Sequence, residues 1–550
     1  MQFNAVFIVI KNMKKLILLL FAAGIVAVAA LSPRAKAQSG ISEMSPDQKL
    51  RLAAAVIENY YVEEVDADTL VQEAIIAMLK TLDPHSSYTT PAETEELNTP
   101  LEGKFSGIGI QFNMVEDTLY VVQTTPGGPS EKAGIRPGDR IISANDTIIA
   151  GKKLPNSSIL KILRGPKGTI VNIKVKRGGE PELIDFRLER DDIPIYSVDA
   201  SYMVDDTTGF ISVTRFAEAT ADEVRQAADS LSRLGMKNLI LDLSSNGGGY
   251  LGAAYQLASE FLKSGDPVVY TKGLRAPAQY FNVEETGTIP VDRLVIMVDQ
   301  YSASASEILS GAIQENDRGL VVGRRTFGKG LVQRPFPFPD GSMIRLTVSR
   351  YYTPSGRCIQ KPYEKGKGEE YQLDLLNRYT SGELWHADSI KLDTTQTFYT
   401  LRNHRPVYGG GGIMPDVFVP ADTSMYSSYY RDLLGKGVLI KYVLNNIEQN
   451  RKQYLKEFPT EEAFAAGFKP SQEFIDGLIA QGEADGVPFD QEKWDRSQRL
   501  ILAVLRGLMT RDLYENGIYV RSTNPLSNDF QEAYRLINDP ERYYKLLKGN

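Results

Sequence analysis

The sequence predicts a multidomain α/β protein: an N-terminal helical segment, an inserted β-rich module, an α/β core and a C-terminal helical extension. Three observations point there. A chain of 550 residues is too long for one hydrophobic core. Residues 193–420 alternate apolar strand-like runs with helical ones, the pattern of an α/β core, whereas residues 98–190 carry short strands separated by glycine turns. Both flanks space their apolar residues as helices do. With 42% hydrophobic and 24% charged residues and no low-complexity tract, the chain is expected to fold.

The elements follow in order. Lys11, Lys14 and Lys15 precede the apolar run Leu16 to Leu31, and Ala35-Lys36-Ala37 supplies small residues at a signal-peptidase spacing. Residues 1–37 therefore read as a signal peptide, with the mature chain starting at Gln38. The alternative is an uncleaved anchor, but the run has 16 residues and a spanning helix needs about 20. Either way the body is exported, to the periplasm or the outer face of the inner membrane, and touches membrane only through this segment. A start at Met13 would give a conventional leader, so Met1 reads as a misassigned start. Ser45 to Leu82 reads as a helical hairpin, part of a segment over 45–97, ending in the turn Leu82-Asp83-Pro84-His85-Ser86. His85 is read there as a turn or capping residue.

A net charge of −7 leaves no broad basic field, so nucleic acid is not an expected partner and substrates should be neutral or peptidic. The single Cys358 excludes an internal disulfide and reads as a filler residue. Three scattered histidines (His85, His386, His404) lack metal-ligand spacing, so no metal or other cofactor is expected.

In the β-rich module, Pro126-Gly127-Gly128-Pro129-Ser130-Glu131-Lys132-Ala133-Gly134-Ile135-Arg136-Pro137-Gly138-Asp139, followed by a strand and Asn145-Asp146, resembles the PDZ family. The resemblance implies capture of a peptide's C-terminal tail. Backbone N–H groups around Gly107, Ile108, Gly109 and Ile110 would hold the terminal carboxylate while a strand edge pairs with the main chain. Arg164 sits in the turn before the last strand, a segment that reads as a solvated loop.

In the core, strands are expected at Gly209 to Val213, Leu239 to Leu243, Leu294 to Val298 and Leu320 to Gly323, and helices at Ala221 to Leu234, Gly252 to Leu262 and Ser304 to Asn316. Ser302-Ala303-Ser304-Ala305-Ser306-Glu307 falls at a strand-to-helix corner, where the helix's free N–H groups favour negative charge, although a serine there is commonly only an N-cap. A serine nucleophile needs a base, and no histidine is well placed. Thr326-Phe327-Gly328-Lys329-Gly330 offers a lysine whose flanking glycines let backbone and ligand approach, with Phe327 keeping water away. Burial would favour its neutral, proton-accepting form. The segment lacks the spacing of a phosphate loop.

SASASE followed by TFGKG and Val332-Gln333 resembles the carboxyl-terminal processing (tail-specific) peptidases. The resemblance implies a crotonase-like core over 193–420, Ser304 as nucleophile and Lys329 as base, Gln333 orienting the amine, and Glu307 stabilising the site. Ser302 and Ser306 would be structural, and Arg164 would take part in switching activity, as an arginine in a similar loop does in that family. Asp242-Leu243-Ser244-Ser245-Asn246-Gly247-Gly248-Gly249 would supply the oxyanion loop, with Gly248 and Ala305 N–H as donors. It departs from the family at Ser244, usually arginine, and at Gly247, often proline. Cys358 to Tyr408 is longer than the family leads one to expect, and the extension over 421–550 carries no readable chemistry. The expected activity is that of an exported serine endopeptidase acting on proteins with accessible C-terminal tails, with room for an adaptor protein and for a homo-oligomer. Intact Ser304, Lys329 and Gln333 argue against a binding-only adaptor. The absence of Gly-x-Ser-Gly-Gly argues against a Ser-His-Asp protease of the trypsin kind.

Overall fold

The computed structural model describes residues 44–390, 394–514 and 517–549, so the expected signal segment and the start at Met1 or Met13 lie outside the described residues. The chain divides into two compact units, Met1–Ile75 and Ile76–Asn550. In the first, the helix Pro46–Tyr60 starts from a Ser45–Gln48 capping box and leaves Leu50, Leu52, Val56 and Ile57 exposed. Among the described residues no helix is long and apolar enough to cross a membrane.

The second unit is built on a six-stranded sheet in the order Val198–Met203, Thr208–Val213, Asn238–Asp242, Arg293–Val298, Leu320–Gly323, Val417–Phe418. The first pair is antiparallel and the rest are parallel. Parallel strands need crossovers, and the helices Thr220–Arg233, Leu251–Ser259 and Ala305–Glu315 lie in them. Alternate residues face opposite sides. Ile211, Leu239, Leu241, Ile296 and Val298 pack towards those helices. Phe210, Ile240, Val295, Met297 and Val322 face Phe530, Ala533, Leu536 and Ile537 of the helix Asn528–Ile537, and Tyr543 of the helix Pro540–Lys548. The core therefore does not end at 420 as the sequence suggested, because the last two helices of the extension cover the sheet's second face.

A second sheet, which sequence periodicity did not reveal, runs Ser87–Thr89, Met343–Tyr352, Pro267–Lys272, Gln279–Asn282, with Leu331–Pro337 also paired to Met343–Tyr352. It carries the turn Leu82–Ser86 on its edge.

The β-rich module is a sheet of Ile110–Val115, Thr118–Thr124, Arg140–Ala144, Ile170–Lys176 and Ile184–Glu189, closed by the helices Pro129–Ala133 and Asn156–Leu163. Gly107 to Ile110 is not one strand. Lys104–Gly107 pairs with Asp191–Pro194 in a separate ribbon, and Gly109, with φ +71°, breaks the chain before the edge strand begins at Ile110.

The helical extension opens with two helices, Ser428–Gly435 and Val438–Glu457, interrupted at Gly437 with φ +69°. These helices pack with Gln472–Ala484 and Gln491–Leu513 around their own core, which includes Tyr429, Leu433, Val443, Phe464, Leu478 and Ile501.

Candidate active site

Ser304 stands where the strand Arg293–Val298 gives way to the helix Ala305–Glu315. Its backbone is at φ +57°, ψ −110°, a conformation an L-residue holds only when its surroundings impose it. The surroundings do so here. Ser304 N–H donates to Glu307 Oε2 (2.8 Å), and its carbonyl accepts from Tyr351 Oη (3.1 Å) and from Glu307 and Ile308 N–H (2.9 Å each). Ser302 Oγ donates to Leu243 carbonyl and Ser306 Oγ to Asn246 carbonyl (2.8 Å each), tying the corner to the glycine loop after the Asn238–Asp242 strand.

Glu307 is fully buried and accepts four hydrogen bonds. Oε1 receives Thr326 Oγ1 (2.6 Å) and Gly328 N–H (2.7 Å), and Oε2 receives Ser304 N–H (2.8 Å) and Lys329 N–H (2.9 Å). Burial pushes its carboxyl up, and the four donors oppose that rise. One carboxylate thus holds the backbones of Ser304 and Lys329 together.

Burial pushes the Lys329 amine below its ordinary value, and the Arg345 guanidinium pushes it the same way. Its Nζ donates to Gln333 Oε1 (3.1 Å), and Gln333 Nε2 donates to the carbonyl of His85. His85, read from the sequence as a turn residue, therefore also stands behind the amine. Asp83 shapes that turn by accepting from His85 and Ser86 N–H (2.9 and 3.0 Å), and Thr347 Oγ1 anchors it to the second sheet (3.0 Å). The His85 ring pairs with Tyr371 Oη (2.8 Å), and burial, followed by the nearby Lys329 charge, lowers its pKa to about 4, so it is neutral.

Tyr371 belongs to the long 358–408 segment, which turns out to grip the lysine loop. The Lys361 ammonium lies over the rings of Phe327 (3.9 Å) and Tyr371 (4.1 Å). Phe327 thus helps to cage a cation. The glycines flanking Lys329 admit protein backbone, as their spacing suggested. A Cβ on Gly330 would lie 2.9 Å from Gln360 N, and one on Gly328 3.2 Å from Gly412 N. Arg378 donates to the carbonyls of Thr326 and Arg325, and shares Glu383 with the Arg325 side chain.

Gly248 packs directly on Ser304. A Cβ there would lie 2.8 Å from Ser304 Cβ and 3.0 Å from Ala305 N. Its N–H, expected to be an oxyanion donor, is instead engaged by Asn246 Oδ1 (2.9 Å), while Asn246 Nδ2 donates to Val213 carbonyl (2.7 Å). The adjacent side chain competes for the donor, which the glycine pattern alone does not show. Ala305 N–H opens its helix and so has no intrahelical acceptor. Ser304, Lys329, Gln333 and Gly248 line one cleft of about 730 Å³, with apolar walls that include Leu101, Leu251 and Met343.

In the β-rich module, Ile108 carbonyl accepts from Ser130 N–H (3.0 Å) and Oγ (2.7 Å), and Gly109 carbonyl from Thr125 N–H (3.0 Å). Across a trans peptide the next N–H points the opposite way, so Gly109 and Ile110 N–H face away from those donors, beside the unpaired edge of Ile110–Val115. Gly107 lies instead in the ribbon. Arg164 stacks on Phe105 (4.5 Å) next to Gly107.

The Peptidase family S41 model matches residues 207–366 and the PDZ domain model residues 106–200. Residues 24–94 match the activating protease CtpB N-terminal domain, and 429–515 a family of unknown function. The chain is 34% identical over 364 residues to carboxy-terminal processing protease CtpB of Bacillus subtilis, a match covering 65% of this chain and 74% of that protein. This chain belongs to the carboxy-terminal processing proteases of peptidase family S41. Carboxy-terminal processing protease CtpA of the same organism is 33% identical over 344 residues, covering 61% of this chain and 73% of the relative. Among solved structures, a photosystem II D1 C-terminal processing protease aligns at 27% identity with a TM-score of 0.33, over 57% of this chain and 90% of that one. The S41 match contains Ser304, Lys329, Gln333 and Gly248. In this S41 protease a PDZ domain precedes the peptidase core, and the enzyme is a C-terminal processing serine protease.

Proposed function

We propose that this protease is exported and cleaves peptide bonds with a Ser304/Lys329 dyad, taking substrates whose C-terminal tails its PDZ domain captures. The observation carrying this reading is a half-buried lysine, with its pKa lowered, held through Glu307 to the backbone of a strained serine on the same cleft. Neutral Lys329 takes the Ser304 Oγ proton as Oγ bonds to the scissile carbonyl carbon. Collapse of the tetrahedral adduct breaks the C–N bond, and Lys329 returns the proton to the leaving amine. Water, deprotonated by the same amine, then releases the acyl group and restores Ser304. Gln333 aims the amine, backed by His85. Ala305 N–H meets the oxyanion, joined by Gly248 N–H once Asn246 Oδ1 lets go.

The tail is read by Gly109 and Ile110 N–H and by pairing along the edge strand, with Arg164 on Phe105 beside the ribbon through which docking reaches the core. Export is supported by the basic and apolar leader sequence. The test uses the purified mature chain and a partly unfolded protein with a free tail. Ser304→Ala and Lys329→Ala should each remove cleavage, scored by mass spectrometry of the products. Wild-type activity in either overturns the dyad. Mass spectrometry of the protein from the cell envelope should find an N-terminus at Gln38, and a cytoplasmic chain retaining the leader would refute export.

A further inference from the structure

The catalytic cleft carries two guanidinium groups that the chemistry above does not use. Arg215 precedes Phe216, whose N–H donates to Gly248 carbonyl (3.0 Å) and whose carbonyl accepts Tyr250 N–H (2.8 Å), so it stands on the oxyanion-loop wall. Arg345 stands on the opposite wall's sheet. It is paired with Pro335, one pleat along from Gln333, which is paired with Thr347. Both are half-buried. Neither side chain makes a hydrogen bond or an ion pair among the described residues, whereas other half-buried arginines of this core, such as Arg325 and Arg318, are bonded. Arg215, Lys329 and Arg345 line the cleft against one carboxylate, Glu102, which is exposed and pairs with neither arginine. Two cleft guanidiniums with no protein acceptor leave their donors free for a bidentate carboxylate from a bound substrate.

We propose that this cleft selects substrate segments bearing a carboxylate, which Arg215 and Arg345 bind beside the scissile bond. The inference rests on the reading of this cleft as the peptidase site. The carboxylate has two sources with the same chemistry, an Asp or Glu side chain near the cleaved bond or the free terminus of a short tail. A further consequence concerns Lys329, which is faced by Arg345 from the sheet, Glu307 from the helix, and Asp83 and neutral His85 from the turn. A carboxylate on Arg345 offsets its effect on the amine, so bound acidic substrate returns the Lys329 pKa part-way towards its ordinary value.

The test compares three peptides on the full chain: one with Asn and an amidated end, one with Asp and an amidated end, and one with Asn and a free terminal acid. kcat/KM is read on the wild type, and Kd by fluorescence anisotropy on Ser304→Ala, so binding is scored apart from chemistry. One or both acid peptides should exceed the neutral one by roughly tenfold or more in both measures. For the Asp peptide that ratio should fall to about one in Arg215→Gln/Arg345→Gln, and for the free-terminus peptide to what the PDZ domain alone gives, and it should persist in part in Arg345→Lys. The PDZ domain also favours a terminal acid, so that arm counts only as the part lost with the arginines. Equal handling of all three peptides, or a ratio unchanged in the double variant, overturns the proposal. Failure of the dyad reading looks different: Ser304→Ala would still cleave, with the acid preference intact.

Discussion

Glu307 meets three backbone N–H groups and one hydroxyl, so its value lies in being an acceptor at both oxygens. Glu307→Gln keeps shape and loses that property, since an amide NH₂ must face two donors. We expect a loss of about 2–4 kcal/mol in stability and a fall of at least roughly a hundredfold in kcat, with Glu307→Asp between the two. Thermal unfolding and steady-state kinetics on the same preparations check this. For Lys329 the sign is also fixed. Its folded pKa lies below 10.5, so between the folded and unfolded values the unfolded chain binds more protons and stability rises with pH; below the folded pKa the penalty for the buried ammonium is constant. On the proposed dyad, activity needs the neutral amine and likewise rises as pH climbs through the folded pKa. Lys329→Met should therefore be inactive yet more stable at neutral pH by about 1 kcal/mol. Arg345→Gln should move the rising limb of the pH–rate profile to higher pH, because it removes a cation that depresses the amine.

At the scale of elements, the site is three loops fastened to one helix start: 243–249, 299–304 and 326–330. The corner before Ala305 was legible because an apolar strand, small hydroxyl residues and a helical apolar stripe adjoin in sequence. Lys329 was legible from its glycines, and Gln333 only through the family resemblance of the motif it follows. His85 was not, because the contact that defines it runs to Gln333, 248 residues away, through a backbone carbonyl that carries no residue identity. Nor was the engagement of Gly248 N–H, since a neighbouring Asn246 could have turned either way. The 358–408 segment looked like surplus length until it folded over the lysine loop. Tyr371 is its sharpest contact, bonded to His85 Nε2 and to Gln360 Nε2, whose Oε1 accepts Gly330 N–H (2.8 Å). Tyr371→Phe keeps the ring under Lys361 and removes the hydroxyl. If the segment positions the base, kcat should drop by about three- to tenfold with KM nearly unchanged, and the pH–rate profile should shift. A change confined to Tm would assign the hydroxyl to stability alone.

At the scale of the whole second unit, the extension reaches both halves of the enzyme. Its last helices complete the peptidase sheet, and its bundle holds the PDZ domain. Arg140 pairs with Glu448, Lys441 bridges Glu116 (2.5 Å) and Asp485 (2.7 Å), and Gln123 Nε2 donates to Arg511 carbonyl (2.7 Å). Arg140 also covers the Tyr120 ring at 4.9 Å, so this contact bears on the middle of the PDZ sheet. The pair is partly exposed, at 31% and 24%, which discounts its Coulomb energy, but losing one partner leaves the other charge half-buried. Removing either side chain should therefore loosen the PDZ sheet about as much as removing both. In a double-mutant cycle, Arg140→Ala and Glu448→Ala should each weaken hydrogen-exchange protection at Val121 and Ile141 about three- to tenfold, and the double variant should do no worse than the weaker single, a coupling of about 0.5–1.5 kcal/mol. Strictly additive losses would mean that the bundle and the PDZ domain touch without sharing stability, and the extension would then serve the peptidase sheet alone.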